Sequence, residues 1–399
     1  MEKALEGIRV LDLGETISAS YCGKLLGDFG AEVIKVENPR GGDPARNAGP
    51  FPQDVPHPEC SALFLYLNTS KKSISLNIHD PSGAAILKRL VKKADVVVEN
   101  FPPGTLQRCG LSYEVLESVN PGIILVSITD FGQTGPYRDY KGGRLVGNAL
   151  SGYAYINGDP DREPLAGGGD QPAYQGGLHA YTGVMAALLH RDMTGAGQQI
   201  DISTMECMAS LHQFTLNRFA YSGMIQKRVG NRYVFSHPIT LYPCKDGHVS
   251  ISPSSEDQAE RMLIMMDMTH LLEDERFQTG YHRLVYADEF DALVKPWFLD
   301  RKKKEIVELC QEFRVPAAYV NNLKDLLEDP QYQARKFWTS LDHPVAGRLP
   351  YAGAPFKMSE TPAKPERAPL LGENNEEIYF GKLGMTSEEL GTLRDRGIV

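Results

Sequence analysis

The chain has no cysteine pair at metal-ligand or redox spacing. Its six cysteines, Cys22, Cys60, Cys109, Cys207, Cys244 and Cys310, are scattered, with no C-x-x-C. That excludes a zinc ribbon or a dithiol motif and suits the reduced cytosol. No apolar run reaches membrane-spanning length, and Met1–Gly7 is mixed and charged, without a secretory apolar core. An excess of basic residues is missing too. Lys and Arg number 42 against 51 Asp and Glu, a formal charge of −9, which is the wrong sign for a general nucleic-acid binder. The expectation is a soluble, cytoplasmic protein with no metal, membrane or nucleic-acid partner.

The common catalytic and phosphate-binding signatures are also absent. There is no G-x-x-x-x-G-K-[ST], no H-E-x-x-H and no G-x-S-x-G. The segment after the first apolar run, Leu13-Gly14-Glu15-Thr16-Ile17-Ser18, is not the G-x-G-x-x-G dinucleotide fingerprint.

What is present is an ordinary globular composition over 399 residues, enough for two or three domains and a large core. The first 130 residues alternate between two periodicities. Ile8–Leu13 reads as a strand, Ser18–Phe29 as a helix stopped by Gly30, and Val33–Val36 as a second strand. The alternation repeats through Ser73–Leu76, Gly83–Lys93, Val96–Glu99, Tyr113–Ser118 and Ile123–Ile128, which predicts a parallel sheet covered by helices. A Gly-rich stretch, 142–169, is too long for a simple turn. Leu178–Arg191 then reads as a helix, Gln199–Ser203 as a strand and Met205–Tyr221 as a second long helix. After about residue 225 the texture changes to a hairpin around Asp246-Gly247 and helices near 255–269, 284–299 and 303–313. The fold class expected is α/β, a Rossmann-like large domain on a parallel sheet plus a smaller α+β domain.

Basic residues recur in segments read as loops after strands: Arg40 and Arg46, then Lys71 and Lys72 in Asn68–Ser73, then Arg108 after Asn100-Phe101-Pro102-Pro103-Gly104. Loops leaving the carboxyl ends of parallel strands line the ligand crevice, and such cations pair with phosphates. Equally, each is an ordinary solvated charge.

Four blocks occur in order: Leu5-Glu6-Gly7-Ile8-Arg9-Val10-Leu11-Asp12, Gly30-Ala31-Glu32-Val33-Ile34-Lys35-Val36-Glu37, Ala94-Asp95-Val96-Val97-Val98-Glu99-Asn100-Phe101 and Ala368-Pro369-Leu370-Leu371-Gly372-Glu373. With Gly177–Arg191 they make the chain resemble the family III CoA-transferases, the CaiB/BaiF group. The resemblance implies a large domain built from 1–224 and a returning segment 330–399, a small domain 225–329, and two subunits interlocked as a dimer. It implies coenzyme A as part of the substrate and places CoA contacts on Thr16, Ile17, Ser18, Asn100, Arg108 and the 137–141 segment with Lys141. Arg40 stands in for a basic residue that falls on Asn38, and Lys71 and Lys72 match a basic pair near the nucleotide.

The family's usual nucleophile is an Asp four residues before the Gly-Leu that opens the helix after the Gly-rich loop. Here that Gly-Leu is Gly177-Leu178, and the position is Ala173. Asp170, three residues earlier, would share a helical face with it. Asp170 is thus either a substitute nucleophile or a helix N-cap, which Pro172 in a first turn suits. The reading that fits the sequence better makes the chain the Asp-less subunit of a heteromer, as resemblance to benzylsuccinate CoA-transferase subunits implies, with an Asp-bearing partner and an acyl-CoA such as succinyl-CoA as donor. On that reading the acid is aromatic or dicarboxylic, and the chain is either one subunit of the transferase or a non-catalytic CoA-binding partner. Direct attack by the acceptor acid is another route. An acyl-CoA racemase is the weakest reading, because Gly143-Arg144 stands where those enzymes carry His-Asp. Arg144 is a candidate for a substrate carboxylate or an ordinary surface Arg. His179 reads as a core or interface histidine, Met262–Met268 as core, and Gly230-Asn231-Arg232 as either an active-site loop or a plain turn.

Overall fold

The computed structural model describes residues 3–212 and 214–399. They divide into two units. The larger contains 1–153, 167–214 and 333–399; the smaller contains 154–166 and 215–332.

The larger unit is organised by a six-stranded sheet of order β3-β2-β1-β4-β5-β6. Its strands are β1 (Arg9–Asp12), β2 (Glu32–Glu37), β3 (Lys71–Ser75), β4 (Val96–Glu99), β5 (Ile124–Thr129) and β6 (Gln198–Ser203). All pairs are parallel, with β1 in register Arg9↔Glu32 to Asp12↔Lys35 on one side and Val10↔Val96 to Asp12↔Val98 on the other. The apolar runs read from the sequence are buried on both faces, as a helix-covered parallel sheet requires. Alternation along β1 sends Leu11 and Leu13 to one core and Val10 to the other. On the Leu11 face pack α2 (Pro81–Val91) and the returning chain end, with Ile378, Tyr379, Leu390 and Leu393. On the Val10 face pack α1 (Ser18–Asp28) and α3 (Gln171–Thr194). Gly177 lets α3 lie on α1: a Cβ there would come within 2.5 Å of the Ser18 carbonyl oxygen.

The structure departs from the local expectations at five places. Lys71 and Lys72 open strand β3 instead of sitting in a loop, because β3 begins two residues earlier than the apolar run suggested. The stretch 142–169 is not one loop; it holds helices Arg144–Leu150 and Tyr153–Ile156. The stretch 205–221 is not one helix. Its amino end belongs to Thr204–Ala209 and its carboxyl end to Thr215–Ser222, and Gln213 between them lies outside the described residues. A hairpin, Trp338–His343 with Gly347–Ala352, went unread in the Pro-rich tail. The helix read at Leu178–Arg191 is longer, 24 residues, capped by Asp170 and stopped by Gly195 at φ +78°.

The smaller unit carries an antiparallel sheet of β7 (Thr240–Cys244), β8 (Gly247–Ile251) and β9 (Ala317–Tyr319). Met262 and Met266 are core residues there, with Phe277, Phe290 and Phe298. Arg232 pairs with Asp288 and Asp291, and Asp291 also accepts from the Tyr242 hydroxyl at 2.6 Å, so the Gly230–Arg232 segment is tied down inside its own unit.

Candidate active site

Strand order reverses direction between β1 and β4, and the crevice outside their carboxyl ends is where open parallel sheets hold ligands. The loop leaving β1 is fixed there by side chains from the segments that follow β4 and β2. Asn100, just past β4, accepts from the Glu15 amide at 2.7 Å and donates to the Glu15 carbonyl at 2.7 Å and the Ser18 hydroxyl at 3.1 Å. Thr16 has φ +57°, unfavourable for a β-branched residue, and its amide donates to Asp43 Oδ1 at 2.9 Å. Thr16, Ile17, Ser18 and Asn100 therefore come together at the end of β1.

Beneath this loop lies a buried charge network that the sequence reading missed. Lys35 Nζ is 2.7 Å from Asp43 Oδ2 and 3.8 Å from Asp12 Oδ1, and Lys71 Nζ is 2.7 Å from Asp12 Oδ2. Burial opposes the Asp12 charge, but Lys35 and Lys71 outweigh it and hold its carboxyl below the usual range. This placement corrects the assignment of Lys71 to CoA. Its side chain is wholly buried and also bonds the Ser20 carbonyl and Asn68, so it reaches no ligand. Lys72 is occupied by Glu32 and Glu377 at 2.8 and 2.5 Å, a surface pairing away from the loop. Arg46 is likewise structural: fully buried, with two bonds to Glu37, one to Glu59, and its guanidinium 3.7 Å from the Phe64 ring centroid. A lysine inside the apolar run Val33–Val36 was the available signal for this network.

The remaining cations are exposed. Arg108 closes the turn Thr105–Arg108 and bonds Thr105 Oγ1 at 2.8 Å. It faces Arg138 across Gly104, where a Cβ would lie 3.2 Å from one guanidinium and 3.6 Å from the other. Arg40 and Lys141 are exposed on their loops. His179 bonds the Gln175 carbonyl at 2.8 Å within α3.

Glu99, the last residue of β4, is buried and accepts from the Phe101 amide at 2.7 Å. Burial pushes its carboxyl up to about 7, with Asp201 adding to the effect. Between the ordinary 4.5 and about 7 the folded chain keeps a proton that the unfolded chain has released. The contribution is therefore fully present below 4.5 and is lost as pH rises through 7. Glu99→Gln is expected to gain about 2–3 kcal/mol relative to the parent on going from pH 5 to pH 8, read from urea midpoints at the two pH values. An equal difference at both would show that Glu99 does not titrate in this window.

A cavity of about 430 Å³ opens beside the β1 loop, lined by Thr16, Ile17, Ser18, Asn100, Asp130, Arg144, Asp170, Ala173 and Thr204. Asp170 caps α3, its Oδ1 accepting from the Ala173 amide at 3.3 Å. The carboxyl thus lies over the residue where the family pattern places a nucleophile. Arg144 donates to the Gly169 carbonyl at 3.3 Å. Asp130, just past β5, supplies a second carboxylate that the sequence reading missed. Burial raises its pKa and the Asp170 charge adds to this, against the opposing bonds from Thr204 and the Gly143 amide. Among the described residues no cluster of three His, Cys, Asp or Glu suits a metal ion, and no helix is long and apolar enough to cross a membrane.

Comparison with known proteins identifies the family. The family model for CoA-transferase family III matches residues 5–375. Succinyl-CoA–D-citramalate CoA-transferase of Chloroflexus aurantiacus is 35% identical over 100% of this chain and 98% of its own length. The beta subunit of succinyl-CoA–L-malate CoA-transferase from the same organism is 34% identical over 99% of this chain and 98% of its own. A CaiB/BaiF family protein from Brucella suis superposes with a TM-score of 0.86 at 31% identity, over 96% of this chain and 100% of that one. This chain belongs to CoA-transferase family III.

Proposed function

We propose that the chain moves CoA from succinyl-CoA to a dicarboxylic acid, with Asp170 as the acyl-accepting carboxylate. The observation that carries this reading is the position of Asp170: a carboxylate at the amino end of α3, over Ala173, in the cavity shared by the β1 loop and Arg144. An Asp170 oxygen attacks the thioester carbonyl, the C–S bond breaks, and a mixed anhydride and CoA thiolate result. The thiolate attacks the aspartyl carbonyl, releasing succinate and leaving CoA on Asp170 as a thioester. The acceptor carboxylate repeats the two steps in reverse, regenerating Asp170 and forming the new acyl-CoA. Each step exchanges one acyl bond for another, which divides a hard transfer into easier ones.

Thr16–Ser18, Asn100, Arg108, Arg40 and Lys141 hold CoA in this reading, and Arg144 pairs a second carboxylate of the acid, a role its planar fork suits. Benzylsuccinate is one acid of this class. A second reading has a specific observation behind it. Ala173 cannot attack a thioester, and one relative is a named beta subunit. In that case the chain works in an interlocked pair with an Asp-bearing homologue.

Intact-mass spectrometry after incubation with succinyl-CoA tests the choice. A CoA adduct on the parent chain that is absent from Asp170→Asn is the expected result. An adduct that persists in Asp170→Asn would move the nucleophile to another residue of this chain, and no adduct while CoA binds would overturn Asp170 as nucleophile and favour the paired subunit.

A further inference from the structure

Asp130 is a poor choice for a cavity that receives acids. Its carboxyl lines the same space as Asp170, and a bound dicarboxylate would add two more negative charges against Arg144, the one lining cation among the described residues. Asp130 is not there for an internal ion pair, since no cation lies within 4 Å of it among the described residues. Its side-chain bonds are few: a long contact from Thr204 Oγ1 at 3.5 Å and the Gly143 amide. Two carboxylate oxygens accept about four bonds, so acceptor capacity remains. The fold fixes the backbone that carries the group. Its backbone oxygen accepts from the Met205 amide at 3.1 Å and Ser203 Oγ at 3.3 Å. The chain opposite is glycine, since a Cβ at Gly142 would lie 2.3 Å from Asp130 Oδ2. Asp130 is only half-buried, so water fills its spare acceptor sites in the free protein, and a ligand that displaces this water must offer a donor in its place.

We propose that Asp130 accepts a hydrogen bond from a hydroxyl on the acid substrate, so that the preferred acceptor is a hydroxylated dicarboxylate whose far carboxylate pairs with Arg144. The assignment rests on the transfer reading above and narrows it. A hydroxyl supplies the missing donor without adding charge. A site built to bond a substrate hydroxyl discriminates strongly against the analogue that lacks it, because the protein's own polar group is then left unpaired.

The test measures kcat/KM for CoA transfer from succinyl-CoA to malate, 2-hydroxyglutarate, 3-hydroxyglutarate and glutarate, for the parent, Asp130→Ala and Asp130→Asn. The parent is expected to prefer at least one hydroxy acid over glutarate by about 10-fold or more. Asp130→Ala should lower the ratio of that acid's kcat/KM to glutarate's by roughly 10- to 100-fold. Asp130→Asn, which keeps the volume and an oxygen for Gly143 and Thr204, should fall between them and serves if Asp130→Ala does not fold. Parallel losses on hydroxy acid and glutarate would overturn hydroxyl recognition, as would a parent that does not discriminate. Failure of the parent to transfer CoA to any acid would instead overturn the transfer reading on which the assignment stands.

Discussion

Lys35→Met is expected to lower the stability of the larger unit by about 3–5 kcal/mol, the cost of leaving a buried charge without its partner. Lys35 is wholly buried. Besides Asp43 and Asp12 it bonds Ser20 Oγ at 3.0 Å and the Gly14 carbonyl. Burial opposes its charge, but Asp12, Asp43 and Glu37 outweigh that and hold its pKa above the ordinary lysine value. Methionine fills a similar volume, so the loss is electrostatic and not a cavity. Asp12 retains Lys71, whereas Asp43 retains the amides of Thr16 and Ala45 and a long contact from Ser20 Oγ at 3.5 Å, none of them charged. The companion variant Asp43→Asn keeps an oxygen for those amides and removes the charge. The double variant should cost less than the sum of the singles by on the order of 1 kcal/mol or more; additive costs would place the loss in packing. Each unit contains one tryptophan, Trp338 in the larger and Trp297 in the smaller. Fluorescence of Trp338 in a Trp297→Phe background therefore reports the relevant transition in urea, where a two-unit chain need not melt in one step.

The parts of this molecule that could be read from the sequence are those set by local pattern. Apolar runs of four to six residues between helical segments led to the five strands β1–β5, because burial on both faces leaves a continuous signal. The β1 loop and Asn100 were found through resemblance, and the structure unites them by hydrogen bonds across 85 residues of chain. What could not be read depends on side-chain reach. Lys71 looked like a loop cation; its ammonium instead threads inward to Asp12, 59 positions away. Arg46 looked the same and is a core residue. Asp130 follows an apolar strand and carries no motif, so nothing in its neighbourhood marked it. Its place in the cavity depends on Gly142, Gly143 and Thr204, which are not its sequence neighbours. The Pro-rich tail hid a hairpin because its strands pair only with each other, and their alternation is broken by Pro350 opposite Ser340.

Asp170→Asn is expected to reduce turnover by about 10³-fold or more with little change in the melting temperature. The two readouts separate chemistry from capping. Asn caps a helix about as well as Asp, so the bond to the Ala173 amide survives, while the amide side chain is no nucleophile. A large rate loss in an equally stable protein therefore places the acyl bond on residue 170. A fall in stability with a matching fall in activity would leave Asp170 as a cap only. Ala173→Asp in the Asp170→Asn background extends the argument. Residue 173 is in the first turn of α3, lines the cavity, and is half-buried. A carboxylate there is favoured by the helix's amino end by about 0.3–1 kcal/mol. It would also stand where the family pattern places its nucleophile. Recovery of at least about one-tenth of the parent turnover would show that the cavity accepts attack from either residue, one helical turn apart, and that Asp170 has moved the reaction without moving the CoA. No recovery, with a stable fold, would mean that the thioester lies within reach of residue 170 alone.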